Sequence, residues 1–170
     1  ANCDAANVTI NVQSTSVACN LDLAVWLEGS YEVSLGEMRT DLNDQQLLPG
    51  QDPVFFLGQE TPAGQPYDVA PWNYNGTEGD AFDSNQLASN ANAGYDAGVV
   101  DWVLVSLRTN PTDGSEAICQ RAGLLYSDGH IEFPSDDCCA IDKSQSYYVV
   151  IEHRNHLIVM SASAVTPVNG

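Results

Sequence analysis

The chain has 170 residues, with 23 Asp plus Glu against 5 Lys plus Arg, for a formal net charge of −18. Hydrophobic residues make up 44%, enough for a core, so an acidic disordered tail is excluded. The charge argues against nucleic acid and anionic membrane as partners, because both need clustered Lys and Arg. No apolar run reaches the roughly 20 residues of a membrane-spanning helix, so no membrane insertion is expected.

The chain opens at Ala1-Asn2-Cys3. It has no basic or apolar leader there and reads as a mature chain. Val8, Ile10 and Val12 alternate with Thr9, Asn11 and Gln13, which predicts a strand with one apolar face. Residues 1–14 form an N-terminal arm able to donate this strand to a neighbouring copy. Leu21, Leu23, Val25 and Leu27 repeat the alternation, with Trp26 on the other face. Residues 35–48 are ambiguous, with a short helix or turn before Pro49-Gly50, and Val54 to Leu57 is a short strand candidate.

Residues 59–98 are rich in Gly, Pro, Asn, Asp and Ala and show no sustained period. The stretch carries Tyr67, Trp72, Tyr74, Phe82 and Tyr95. A linker would not hold so many rings, so a long ordered loop is expected. Asp68, Glu78, Asp80 and Asp83 are hard oxygen ligands suited to Ca²⁺, although their spacing is not that of an EF-hand; the bland alternative is a solvated acidic surface. Tyr67, Trp72 and Tyr74 offer stacking faces for a sugar; the bland alternative is that they fill the core beneath the loop.

Residues 99–107 are apolar on both faces, which marks a central strand. A hairpin follows over 116–133, turning at Asp128-Gly129. With those two residues as the loop, Cys119 faces Cys138, and a bulge would hand the role to Cys139. Such a bond adds about 3 kcal/mol and implies an oxidising compartment. The adjacent pair Cys138-Cys139 lacks zinc-site spacing. Five cysteines leave one over, either for a bond between chains or as a buried thiol. Strands over 147–151 and 157–164 complete the set, with a turn or bulge at Asn155.

Seven or eight short strands and no long helix predict an all-β fold, a single β-sandwich domain over residues 1–170. Candidate chemistry is sparse. On a straight strand His153 and His156 point to opposite faces, and they converge only if Asn155 bends the chain. Asp101, inside an apolar strand, is expected to pair with Arg108, Arg121 or Arg154. No Gly-x-Ser-x-Gly elbow and no phosphate-binding Gly-rich loop occurs, so the chain is read as no enzyme.

Three blocks stand out: Val99-Val100-Asp101-Trp102-Val103-Leu104-Val105-Ser106-Leu107-Arg108, Ala122-Gly123-Leu124-Leu125-Tyr126-Ser127-Asp128-Gly129, and the run from Tyr147 through His153-Arg154-Asn155-His156 to Leu157. With Leu27-Glu28-Gly29-Ser30-Tyr31 and Pro66-Tyr67, they resemble a module of large secreted surface proteins of Bacteroidetes-type bacteria. The resemblance covers about residues 22–163. It implies secretion, a β-sandwich, and a surface or adhesive role.

Two functions are expected from these features. The first is a secreted structural subunit that self-assembles into an extracellular filament or matrix by exchange of the arm bearing Val8, Ile10 and Val12. Head-to-tail exchange does not close and builds open polymers. The second is a cell-surface module that binds polysaccharide.

Overall fold

The computed structural model describes residues 11–13, 20–51, 64–78, 95–134, 139 and 141–167. The fold is all-β. In chain order the strands are β1 (Asn11–Gln13), β2 (Asn20–Asp22), β3 (Tyr31–Glu32), β4 (Glu37–Met38), β5 (Val99–Arg108), β6 (Ala117–Tyr126), β7 (Ile131–Glu132), β8 (Tyr148–His153) and β9 (His156–Met160). One helical turn, α1, spans Asp41–Asp44. It falls in the ambiguous stretch before Pro49.

The core is a five-stranded antiparallel sheet in the order β7-β6-β5-β8-β9. β5 lies at its centre with all but its last residue buried, as its unbroken apolar run requires. Val103, Val105 and Leu107 lie on one face, with Leu125, Val149 and Ile151. That face is covered by Leu21, Leu23, Val25, Leu27 and Met38. Trp102 and Leu104 lie on the other face, with Ala122 and Leu124, under Leu48 and Tyr67.

The second cover is held by polar pins as well as by apolar contact. The Tyr67 hydroxyl donates to the Trp102 carbonyl at 2.7 Å. The Trp102 indole N–H donates to the Tyr95 hydroxyl at 2.7 Å, which donates to the Pro49 carbonyl at 2.8 Å. Buried Gln51 donates to Asn43 Oδ1 at 2.9 Å. These bonds explain why residues 64–78 are an ordered cover and not a linker.

Two features differ from expectation. The β6–β7 register pairs Leu124 with Glu132 and Leu125 with Ile131. The loop is therefore three residues, Ser127-Asp128-Gly129, with Gly129 at φ +93°. That is the left-handed position such loops need. Second, the disulfide joins Cys119 to Cys139, not to Cys138, with 5.4 Å between the Cα atoms. Cys119 and Cys139 pack in the same core cluster as Ile131 and Phe133. Cys138, like Cys3 and Cys19, lies outside the described residues.

The two sides of the sheet are finished differently. At the β7 side the extended segment 21–27 lies alongside: the Val25 N–H donates to the Gly129 carbonyl at 2.8 Å, and the Ile131 N–H to the Leu23 carbonyl at 3.0 Å. At the other side, among the described residues, β9 pairs only with β8.

Candidate functional site: an open edge held by a buried clamp

Two bulges shape this end of the sheet. One lies in β5 between Val99 and Asp101, against β6. The other lies in the β8–β9 pair between Ile151 and His153. Bulges re-aim side chains next to them. Here they bring Asp101, fully buried, to the β8–β9 turn. Arg154 Nε donates to Asp101 Oδ2 at 3.0 Å and Arg154 Nη2 to Oδ1 at 2.9 Å. The Trp102 backbone N–H donates to Oδ1 at 2.8 Å.

His153 Nε2 stands 3.0 Å from Asp101 Oδ2. Its Nδ1 accepts the Asn155 N–H at 3.0 Å. Burial pushes the Asp101 carboxyl up, but the bond from His153 and the charge and bonds of Arg154 outweigh it and hold it below the ordinary range. Of the three candidate arginines, Arg154 is the partner. Arg108 pairs with Glu152 at 3.6 Å, and the Arg121 guanidinium lies 4.9 Å from the Phe133 ring centre. The cluster is a clamp that ties the β8–β9 turn to the central strand.

The two-residue turn at Arg154-Asn155 makes His153 and His156 cross-strand partners. The bend at Asn155 thus brings them together, as the sequence required for convergence. They line one wall of a cleft of about 280 Å³ with Leu27, Leu42, Val100 and Arg39. Arg39 is itself bonded to Asp41 and to the Gly29 carbonyl, and His156 Nδ1 lies 2.9 Å from the Leu157 carbonyl.

The second bulge sets Leu157 and Ile158 against one residue of β8, Glu152. Leu157 is 84% exposed, Ile158 63% and Met160 41%. Edge strands are normally blunted by Lys, Pro or inward charge. β9 carries none of these; the one blunting device on it is the bulge at Leu157-Ile158. No Asp, Glu, Lys or Arg occurs after Arg154, nor between Asp4 and Asp22. In a chain of charge −18, these two stretches are where copies repel least. This signal was present in the sequence, and its meaning depended on knowing that residues 156–160 form an edge.

The expected sites fare unequally. Tyr67 is fully buried and offers no face to a ligand. Trp72 meets it edge-on at 5.1 Å, so its packing is with the core. The Tyr74 hydroxyl bonds to the buried Glu78 carboxylate, and burial with that contact pushes its pKa up. The three rings do not form a shared platform; they anchor the loop.

Glu78 also accepts the Ala122 N–H at 3.2 Å, while Asp68 is exposed. Asp80 and Asp83 lie outside the described residues. Among the described residues, no group of three or more His, Cys, Asp or Glu side chains converges to hold a metal.

Of the assembly residues, Val12 lies in β1, opposite Leu21 of its own chain. Val8 and Ile10 lie outside the described residues. Among the described residues no helix is long and apolar enough to cross a membrane. Comparison with known proteins found no match, whether to a family model, a curated protein or a solved structure.

Proposed function

We propose that this chain is a secreted structural subunit that self-assembles into an extracellular filament. The β9 edge of one copy takes a strand from the N-terminal segment of the next. The observation that carries this reading is that, among the described residues, β9 pairs only with β8, with its Leu157, Ile158 and Met160 exposed. Such an edge is a template for another strand.

A second copy is the favoured occupant for two reasons. The Val8, Ile10 alternation matches an apolar stripe. Residues 5–10 of the donor and the whole of β9 also carry no Asp, Glu, Lys or Arg in an otherwise acidic chain. Because Val12 is used within its own chain, the donor is residues 1–10, which extended reach at most about 33–36 Å. Donor and acceptor differ, so the contact is head-to-tail and propagates. The Cys119–Cys139 bond fits an oxidising extracellular setting.

Fully burying Leu157 or Ile158 contributes about 1.5–3 kcal/mol each, or at least tenfold in a contact equilibrium. The test is electron microscopy of the purified chain beside a deletion of residues 1–10 and Ile158→Lys. Filaments are expected from the parent and from neither variant. A synthetic peptide of residues 1–10 in excess should stop growth. Polymers that persist in both variants, or discrete dimers that survive the deletion, would refute strand donation.

A further inference from the structure

Asn75 is exposed in the 64–78 cover, directly before Gly76. The chain is fastened on both sides of it. The Tyr74 N–H donates to the Tyr67 carbonyl at 2.8 Å, and the Gln65 N–H to the Glu78 carbonyl at 3.0 Å. Gln65 Nε2 donates to the Gly76 carbonyl at 3.0 Å. Among the described residues, neither the Asn75 side chain nor the Gly76 N–H has a hydrogen-bond partner. A Cβ at position 76 would collide with Glu78 Oε2 and the Tyr74 ring, so packing requires a glycine after Asn75. The described Asp-Gly pairs differ. Asp113 Oδ1 accepts the Ser115 N–H at 2.9 Å, and Asp128 Oδ1 the His130 N–H at 3.2 Å. Both are carboxylates at neutral pH, which resist attack by a nitrogen nucleophile.

We propose that Asn75 is a modification site: it deamidates spontaneously, and the isoaspartate it forms loosens the 64–78 cover. The Gly76 nitrogen attacks Cγ of the Asn75 amide. The Cγ–Nδ2 bond breaks, and ammonia leaves with the proton that the Gly76 N–H gives up. A succinimide ring remains. Water then opens one C–N bond of the ring, leaving a carboxylate and releasing a proton to solvent. One opening gives aspartate. The other gives isoaspartate, whose main chain runs through Cβ and Cγ. Glycine favours the reaction because no Cβ screens its nitrogen or restricts its backbone. Only water is consumed. The extra main-chain carbon falls between Tyr74 and Glu78. It displaces the Glu78 carboxylate, which accepts the Ala122 N–H at 3.2 Å and the Tyr74 hydroxyl. Ala122 lies in β6, so these bonds join the cover to the sheet.

The test is peptide mapping by mass spectrometry of the full chain during storage at mildly alkaline pH, with isoaspartate labelled by an isoaspartyl methyltransferase. Conversion at Asn75 is expected to be about tenfold or more faster than at Asn43, Asn73 or Asn155, each followed by a residue with a Cβ. Asn75→Gln should abolish it. The isoaspartate form, separated by ion exchange, should melt below Asn75→Asp, which adds the same charge to an unlengthened chain. No conversion at Asn75, conversion no faster than at the other three, or an isoaspartate form that melts with Asn75→Asp would overturn the proposal. These outcomes are independent of whether filaments form.

Discussion

Removing Arg154 tests the clamp beneath the β9 edge. In Arg154→Met, Asp101 loses two charge-assisted bonds, at 3.0 and 2.9 Å, and remains fully buried. Breaking one side of a buried ion pair costs about 3–5 kcal/mol. His153 and the Trp102 N–H still face the carboxylate, which puts the expected loss at the low end, about 3 kcal/mol. For a domain of this size that lowers Tm by roughly 6–12 °C.

Guanidinium unfolding followed by Trp fluorescence measures the loss directly, with the disulfide kept intact. Asp101→Asn, alone and combined with Arg154→Met, completes a double-mutant cycle. The combined variant should be more stable than the sum of the single losses implies. Acid provides a second readout. The Asp101 carboxyl is held below its ordinary value, so its stabilisation is full above about pH 3.9, the unfolded value. It is lost as pH falls through the lower folded value. Asp101→Asn should remove that acid-sensitive component. A loss under about 1 kcal/mol in Arg154→Met, together with an unchanged acid limb in Asp101→Asn, would refute the clamp.

Four further outcomes are expected. Peptide mapping without reduction should link Cys119 to Cys139; a Cys119–Cys138 peptide would contradict the register. Cys139→Ser should cost about 3 kcal/mol, given a sequence separation of 20 and the entropy of a loop that size. Tyr67→Phe should cost about 1 kcal/mol in urea unfolding, because it removes the bond to the Trp102 carbonyl; no loss would mean that water replaces it. Gly129→Ala should cost about 1 kcal/mol or more, from φ +93° and the approach to Trp26. A neutral result on thermal unfolding would contradict the close approach of the Trp26 ring to Gly129.

The sequence by itself determined the class of fold and its centre. A run over 99–107 that is apolar on both faces apart from Asp101 and Ser106 has nowhere to sit but between covered faces, and β5 does so. The alternation over 21–27 correctly chose which side chains face the core. Both signals are local, since they depend on side-chain periodicity within a few residues. The aromatic content of 59–98 also showed that the described part, 64–78, is ordered.

Tertiary structure decided what depends on register and on distant partners. Asp-Gly marks a turn, but it does not say whether the loop has two residues or three, nor which of two adjacent cysteines reaches Cys119, and the disulfide is to Cys139. Asp101 had three arginines to choose from across the chain, and two bulges selected Arg154. The rings at 67, 72 and 74 offered a platform reading beside the commoner one of filling the core, and the burial of Tyr67 decided for the core. β9 looks like any other apolar run in sequence. What makes it a site is its place at the end of the sheet order, because an unpaired edge is defined by which strands are absent beside it.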